Sequence, residues 1–513
     1  MPALDPSRPA LLPSAAMTHP QPGPSTPDAA PTAATNVARE GATNTALPRA
    51  MNAARGAGTH AAPSATTNAA DGRITDATPD VVVIGGGPSG STAAAFLAKA
   101  GRSVVLLEKE AHPRFHIGES LLPRNLDILE RLGMLDAVRG IGVHKPGAEF
   151  VSDRTGRSCA FPFRHALNQS RTHAWQVRRS DFDAALFRNA ARLGAATREE
   201  TRVTEIRFPA AGFSRRGERP EVVARTAAGE AVTYRPRFVL DASGRDTFLA
   251  KEVTTKVANK RNNTAAMYAH WRGVERRQGE LDGYISIHLA EDGWFWLIPL
   301  PGDVMSVGFV GNQTAWKGRK GDARAIFLDR VMSSPTVAAR VRGATIEGEI
   351  FSTANYSYRA ASGTGEGYLM IGDAYGFVDP MFSTGVLMAM TAGELGAKAA
   401  DTWLDDPARG EAMCRATNLE LARAMDRIGW LIYRINDPVM RSLFMAPKNT
   451  LWMRDGIINM LAGNLAGGRF GDPRAILPIL SFKAVYRVLS WLHRRGLGPE
   501  MAEARPVSLA AAE

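Results

Sequence analysis

Residues 80–110 read DVVVIGGGPSGSTAAAFLAKAGRSVVLLEKE, and this stretch decides the fold. Residues 81–84 are a short β-branched run of the kind buried on both faces in a parallel sheet. Gly85, Gly87 and Gly90 follow as G-x-G-x-x-G. In that spacing the first glycine makes a tight turn and the second lets a pyrophosphate approach the backbone. The third lets helix and strand pack closely. Residues 89–100, with Ser91 in the first turn, are good helix formers, and Gly101 stands where a helix is capped. Free N–H groups and the dipole at that helix start favour an anion. A second strand over 103–107 ends on Glu108, 18 residues beyond Gly90, where an acid accepts hydrogen bonds from a ribose. Gly85, Gly87, Gly90, Ser91 and Glu108 are therefore assigned to a dinucleotide. Glu108 speaks against the 2′-phosphate of NADP and does not separate NAD from FAD.

Two remote segments favour FAD. FVLDASGRD (238–246) reads as a strand ending at Asp241. GYLMIGDAYGFVDPMFSTGV (367–386) reads as another strand, ending in Gly372-Asp373-Ala374 before a turn and a helix. Asp373 can bind polyol hydroxyls, while N–H groups at the helix start face an anion or a flavin carbonyl. An extended cofactor reaching such distant segments suits FAD.

The rest of the chain bounds the problem. At 513 residues it is long enough for several layers around a large core. Residues 1–78 are rich in Ala, Pro, Thr, Ser and Gly with few large apolar side chains, so they are expected to form a disordered low-complexity tail. They lack the apolar core of a secretory signal. The two cysteines, Cys159 and Cys414, are far apart, which excludes a disulfide scaffold and a zinc ribbon and suggests a reducing, cytoplasmic setting. No metal is expected. AILPILSFKAVYRVLSWL is interrupted by Lys483 and Arg487, so no transmembrane segment is expected. The net charge is +11, but no nucleic-acid module accompanies it; a phosphorylated cofactor or an acidic partner fits better.

DGWFWLIPLPGDVMSVGFV (292–310) places Trp294 and Trp296 one residue apart. In a strand they share a face and form an indole wall. With this motif in view, the three flavin segments together resemble the flavoprotein monooxygenase fold of p-hydroxybenzoate hydroxylase, and more closely its flavin-dependent halogenase branch of phenol and pyrrole type. HPRFHIGESLLP (112–123) follows the Rossmann acid as in that branch. QVRRSDFDAALFRNAARLGA (176–195) resembles its R-x-x-F-D segment, with Arg179 as the flavin-contacting arginine. GDAYGFVDPMFSTGV resembles its third flavin motif, and residues 294–299 its W-x-W-x-I-P. The resemblance implies an α/β fold: a Rossmann-like FAD-binding domain over 79–390, an inserted mixed β-sheet substrate domain (about 140–180 and 250–355), and a helical C-terminal substrate cap over 391–513.

The resemblance also implies a reaction. Reduced FAD (FADH2) from a separate flavin reductase reacts with O2 to a C4a-hydroperoxide, and chloride or bromide takes its oxygen as hypohalous acid. The acid then migrates past the Trp294–Trp296 wall to a lysine beside an electron-rich ring. IGVHKPGAEF (141–150) resembles the K-x-G-A-x-F segment of phenol-type halogenases and makes Lys145 that catalytic lysine. Thr384 and Gly385 offer backbone N–H groups as the halide nest, Gly385 also contacting the flavin. Tryptophan halogenases carry a glutamate before this turn; here Phe382 stands there, which favours a phenolic or pyrrolic ring. Between 421 and 500 there are twelve Lys/Arg and five Asp/Glu, a surface able to receive an acidic acyl-carrier protein presenting the ring or to rest on anionic lipid. A flavin hydroxylase or isoprenoid-type reductase shares the flavin segments and remains the alternative.

Overall fold

The computed structural model describes residues 78–167, 171–209, 218–258, 264–317, 321–354, 357–465 and 472–497. All of the expected tail except its last residue lies outside them. The strand Val81–Ile84 sits inside a six-stranded sheet, flanked by Phe238–Asp241 on one side and Val104–Leu107 on the other, all parallel. Tyr368–Met370 and Ala196–Arg198 extend it in parallel at either side, so the segments around Glu108, Asp241 and Asp373 end at the same edge. Both faces are covered, which is why the inner strands Val81–Ile84 and Val104–Leu107 are apolar at every position rather than alternating. On one face lie the helices Pro88–Lys99, Arg179–Arg192 and Thr384–Asp405. The other packs Val82, Ile84, Val105 and Leu107 against Val203, Val222 and Val232 of a small antiparallel sheet.

A seven-stranded mixed sheet forms the second layer. Its order is Thr345–Ala354, Thr264–Arg272, Val304–Asn312, Gly293–Leu300, Ile285–Leu289, Gly147–Ser152 and Ser158–Pro162. The alternation along Gly293–Leu300 explains its composition. Trp294, Trp296 and Ile298 belong to the main core, whereas Phe295 and Leu297 face the other way, into a separate core with Phe309, Phe327 and Val337. A strand buried on both faces needs large side chains in both directions.

The helical region does not begin at residue 391. Thr384–Asp405 is one continuous helix packed on Pro88–Lys99, and Gly393 allows that approach: a Cβ there would lie 2.4 Å from the Ser89 carbonyl oxygen. The remaining helices include Pro407–Ile432, Pro438–Met445, Met453–Leu461 and Ile476–Arg494. The segment Pro473–Arg494 is, at 22 residues and mean hydropathy 1.4, long and apolar enough to cross a membrane by length and composition. It lies instead along the protein, with Ile479, Phe482 and Tyr486 buried.

A nucleotide cavity and a buried lysine

The glycine-rich turn is held by close approach. Gly85 has φ +101°, and a Cβ there would stand 2.4 Å from the Ala242 carbonyl oxygen. A Cβ on Gly90 would meet the Gly85 carbonyl oxygen at 1.9 Å. Gly87 caps the helix Pro88–Lys99 with no side chain of its own, leaving the first N–H groups facing a cavity of about 400 Å³. Gly85, Gly87, Glu108, Arg179, Asp373 and Gly385, drawn from four regions of the chain, all line that cavity, and so do Trp294 and Trp296.

Ser91 corrects the sequence reading. It is fully buried, its hydroxyl donates to the Gly86 carbonyl at 2.8 Å, and it does not line the cavity. Ser89, two residues earlier, does line it. Gly90 likewise stays behind the wall, where its role is helix–strand packing.

Glu108 is poised at the end of its strand: Oε2 accepts from the Gly86 N–H at 2.7 Å, and Arg114 lies 3.3 Å away. Arg179 makes a two-pronged pair with Asp183 (2.8 and 2.9 Å) and donates to the Ile117 carbonyl at 2.7 Å. Burial opposes the Arg179 charge, but Asp183 beside it outweighs burial and holds its pKa above the ordinary value. Asp373 is pushed the other way. Burial raises its carboxyl to about 6, against the pull of Arg179 and Arg245. Arg114 and Arg245, both lining the cavity, lie inside flavin segments read from the sequence, but nothing in those segments shows that their side chains reach the cavity. The same is true of Glu119, whose Oε1 lies 2.6 Å from Nε2 of His270 on a distant strand.

At the turn before Thr384–Asp405, Ser383 takes φ +56°. Gly385 lines the large cavity and a smaller one of about 20 Å³; Thr384 lines only the smaller, opposite Asp373. A Cβ on Gly385 would meet nothing within 4 Å, so no protein packing demands glycine at this position.

Trp294 and Trp296 form the shared face that their spacing requires, with ring centroids 5.8 Å apart. Trp296 Nε1 donates to Ser306 Oγ at 3.1 Å, and its ring lies over Gly308, where a Cβ would come within 2.1 Å. The indole is thus pinned flat against the neighbouring strand.

Lys145 ends the strand Gly142–Lys145, which contacts the tryptophan strand. Its side chain is 1% exposed and does not line the large cavity. Nζ donates to the Leu121 carbonyl at 2.8 Å and sits 5.2 Å from the centre of the Phe163 ring. Among the described residues no carboxylate pairs with it, so burial alone brings its pKa down to about 7. Leu121 directly follows Glu119 and Ser120, which line the cavity. Nearby, Phe150, Phe161, Phe382 and Phe444 stack in one cluster, Phe150 to Phe444 at 5.1 Å. His144, the next residue back, faces outward against His173 and Trp175.

The residues present fit FAD: a glycine turn in which no Cβ fits at Gly85 or Gly90, a helix start, and Glu108, Asp373, Arg114, Arg179 and Arg245 lining one cavity. A family described as an FAD binding domain matches residues 78–400. The chain is 33% identical over 323 residues to a tryptophan 2-halogenase from Chondromyces crocatus, covering 62% of this chain and 60% of that protein. It is 32% identical over 336 residues to a 1H-pyrrole-2-carbonyl-[peptidyl-carrier protein] brominase from Pseudoalteromonas luteoviolacea, covering 64% of this chain and 78% of that one. Among solved structures, the myxobacterial chondrochloren halogenase is 31% identical with a TM-score of 0.63, covering 79% of this chain and 97% of that one. The fold and cavity define an FAD-binding flavoprotein. This chain belongs to the FAD-binding-domain family and, within it, to the flavin-dependent halogenases. The match spans about three fifths of the length of the first of these relatives.

Proposed function

We propose that this protein halogenates an electron-rich aromatic ring, using FADH2, O2 and chloride or bromide. When bound, the reduced cofactor supplies with oxygen the oxidising equivalents that turn halide into an electrophile. The protein's own part is to hold the reactants apart and then deliver the electrophile. N–H groups at Thr384 and Gly385 hold the halide without committing a charged side chain. Trp294 and Trp296 present a continuous indole surface to the cavity and exclude the acceptor ring from the flavin side. Lys145, part amine near neutral pH because it is buried with no carboxylate beside it among the described residues, donates a hydrogen bond to the oxygen of hypohalous acid, or exchanges one N–H for an N–halogen bond with loss of water, and so presents the halogen to the ring.

The observation that carries this reading is the placement of Lys145: fully buried, on a strand touching the tryptophan strand, bonded to the residue after the cavity wall, yet outside the cavity. A hydroxylase with direct oxygen transfer has no use for a dry, unpaired lysine there. Phe382 and its aromatic neighbours favour a ring already activated by a hydroxyl or ring nitrogen. The carrier-protein brominase among the relatives supports a ring presented on an acyl-carrier protein, and the tryptophan 2-halogenase keeps indole among the acceptors to be tried. A separate flavin reductase would supply the FADH2, in the cytoplasm.

The test is incubation with FAD, a flavin reductase, NADH and chloride or bromide in the presence of phenol, pyrrole and indole acceptors. Halide-dependent halogenated product is the expected result. Hydroxylated product with no halide dependence would replace this reading with that of an FAD monooxygenase.

A further inference from the structure

Eight of the fourteen exposed large apolar side chains among the described residues fall between 451 and 497. They are not scattered. Leu477, Leu480, Val488 and Trp491 follow three- and four-residue steps along Ile476–Arg494 and so share one face of the helix. The opposite face, with Ile479, Phe482 and Tyr486, is buried against the protein. From Leu477 to Trp491 the stripe runs about 21 Å at 1.5 Å per residue. Beside it the turn Thr450–Trp452 is tied to the helix by a hydrogen bond from the Ser481 hydroxyl to the Leu451 carbonyl. Leu451 and Trp452 in that turn both take φ near +57°, and both stand more than half exposed. A left-handed conformation costs a non-glycine residue roughly 1–2 kcal/mol, so this turn bears strain while presenting a leucine and a tryptophan to solvent.

The charge around the stripe has one sign. Ile476–Arg494 contains Lys483, Arg487 and Arg494 and no carboxylate, and Arg495 follows, its guanidinium 4.2 Å from the centre of the Trp491 ring. A helix with a long flat apolar face, tryptophan at its end and cations at its flanks has the composition that lies in a bilayer interface. An acidic protein partner would meet the same cations, but a straight 21 Å stripe of leucine, valine and tryptophan offers it no pocket. A fluid bilayer needs none.

We infer that the Ile476–Arg494 face, with Leu451 and Trp452, docks this protein on an anionic lipid surface. The helix lies parallel to the membrane, with its apolar stripe at the level of the headgroups and upper acyl chains and Arg487, Arg494 and Arg495 on lipid phosphates. This does not depend on the halogenation reading, and its test does not use activity.

The test is flotation of the full-length FAD-loaded protein with vesicles of phosphatidylglycerol and phosphatidylcholine, and separately with phosphatidylcholine alone. The protein should float with the anionic vesicles at low salt and much less with the neutral ones. Leu480→Asp with Trp491→Asp should lower binding at least tenfold. Arg487→Glu with Arg494→Glu should lower it by about fivefold or more per cation removed and flatten its salt dependence. Flavin absorbance per chain, equal in all variants, shows that each is folded. No flotation of the wild type on anionic vesicles, or equal flotation of the apolar-face variant, would overturn the assignment. So would a wild-type dimer in size-exclusion chromatography that the same variant turns into monomer, because the occupant of the stripe would then be a second copy of this chain.

Discussion

The cavity and the lysine chamber bury positive charge in opposite ways. In the cavity wall, Arg179 is buried but braced by both oxygens of Asp183, and the pair keeps the guanidinium charged. At the other site, Lys145 is equally buried and, among the described residues, has one carbonyl, one phenylalanine face and no carboxylate, so burial prevails and its pKa falls to about 7. A counter-ion inside a protein preserves a charge for binding; leaving it out frees an amine for chemistry. One protein thus holds a cation kept charged and a cation losing its charge, with the tryptophan strand lining the cavity and touching the strand that carries Lys145.

The comparison breaks first at Lys145. Lys145→Ala should abolish halogenation, by a factor on the order of 10² or more, while FAD still binds and halide oxidation, trapped by a small thiol, continues. Unchanged product formation would remove the lysine from the chemistry. Next in size is Arg179→Met, which leaves the buried Asp183 with only the longer Arg114 contact, at 3.5 Å, and should cost up to about 3 kcal/mol of stability. Urea unfolding measures this, and Arg179→Met with Asp183→Asn should recover part of the loss. If the single variant melts like the wild type, the ion pair is not the brace described above.

Lys145→Met sharpens the contrast through pH. Because the folded-state pKa of about 7 lies below the ordinary lysine value of 10.5, burying the ammonium costs stability fully below pH 7, and the cost fades as pH rises toward 10.5. The variant should therefore gain stability relative to wild type as pH falls from about 9 to 6, read as a difference in melting temperature. A pH-independent difference would mean that Lys145 stays charged.

Gly385→Ala asks whether the space at the halide turn is for a ligand. The variant should fold normally, since its Cβ meets no protein atom, and should raise the halide concentration needed for half-maximal rate by roughly tenfold, about 1.4 kcal/mol. The smallest effect concerns Asp373. Hydroxyl donors of a bound cofactor favour its ionised form, so FAD affinity should rise with pH through about 6, and Asp373→Asn should flatten that slope. Isothermal titration at two pH values decides it.

Much of this was legible in order of residues alone, and for identifiable reasons. Gly90 is readable because what excludes its side chain is the Gly85 carbonyl five residues back, an encounter that strand–turn–helix geometry makes unavoidable; Gly85 is readable from its place in the tight turn, although the backbone it meets, at Ala242, is remote in sequence. Trp294 and Trp296 are readable because a strand has a period of two whatever it packs against. The direction of the Ser91 hydroxyl, back to the Gly86 carbonyl, was not legible, because type and position in the first helical turn do not reveal which way a hydroxyl points. The expected start of the C-terminal cap at 391 falls inside one helix, Thr384–Asp405, because composition changes there while hydrogen bonding does not.

The sequence by itself determined the nucleotide fold, the cofactor class and the face shared by the indoles, since these follow from local backbone geometry. Only the tertiary structure decided that Arg114, Arg245 and Glu119 meet at one cavity and that, among the described residues, Lys145 has no counter-ion and one face of Ile476–Arg494 is left uncovered. Charge state and exposure depend on which distant groups come within a few ångströms, and neither spacing nor composition along the chain encodes that distance.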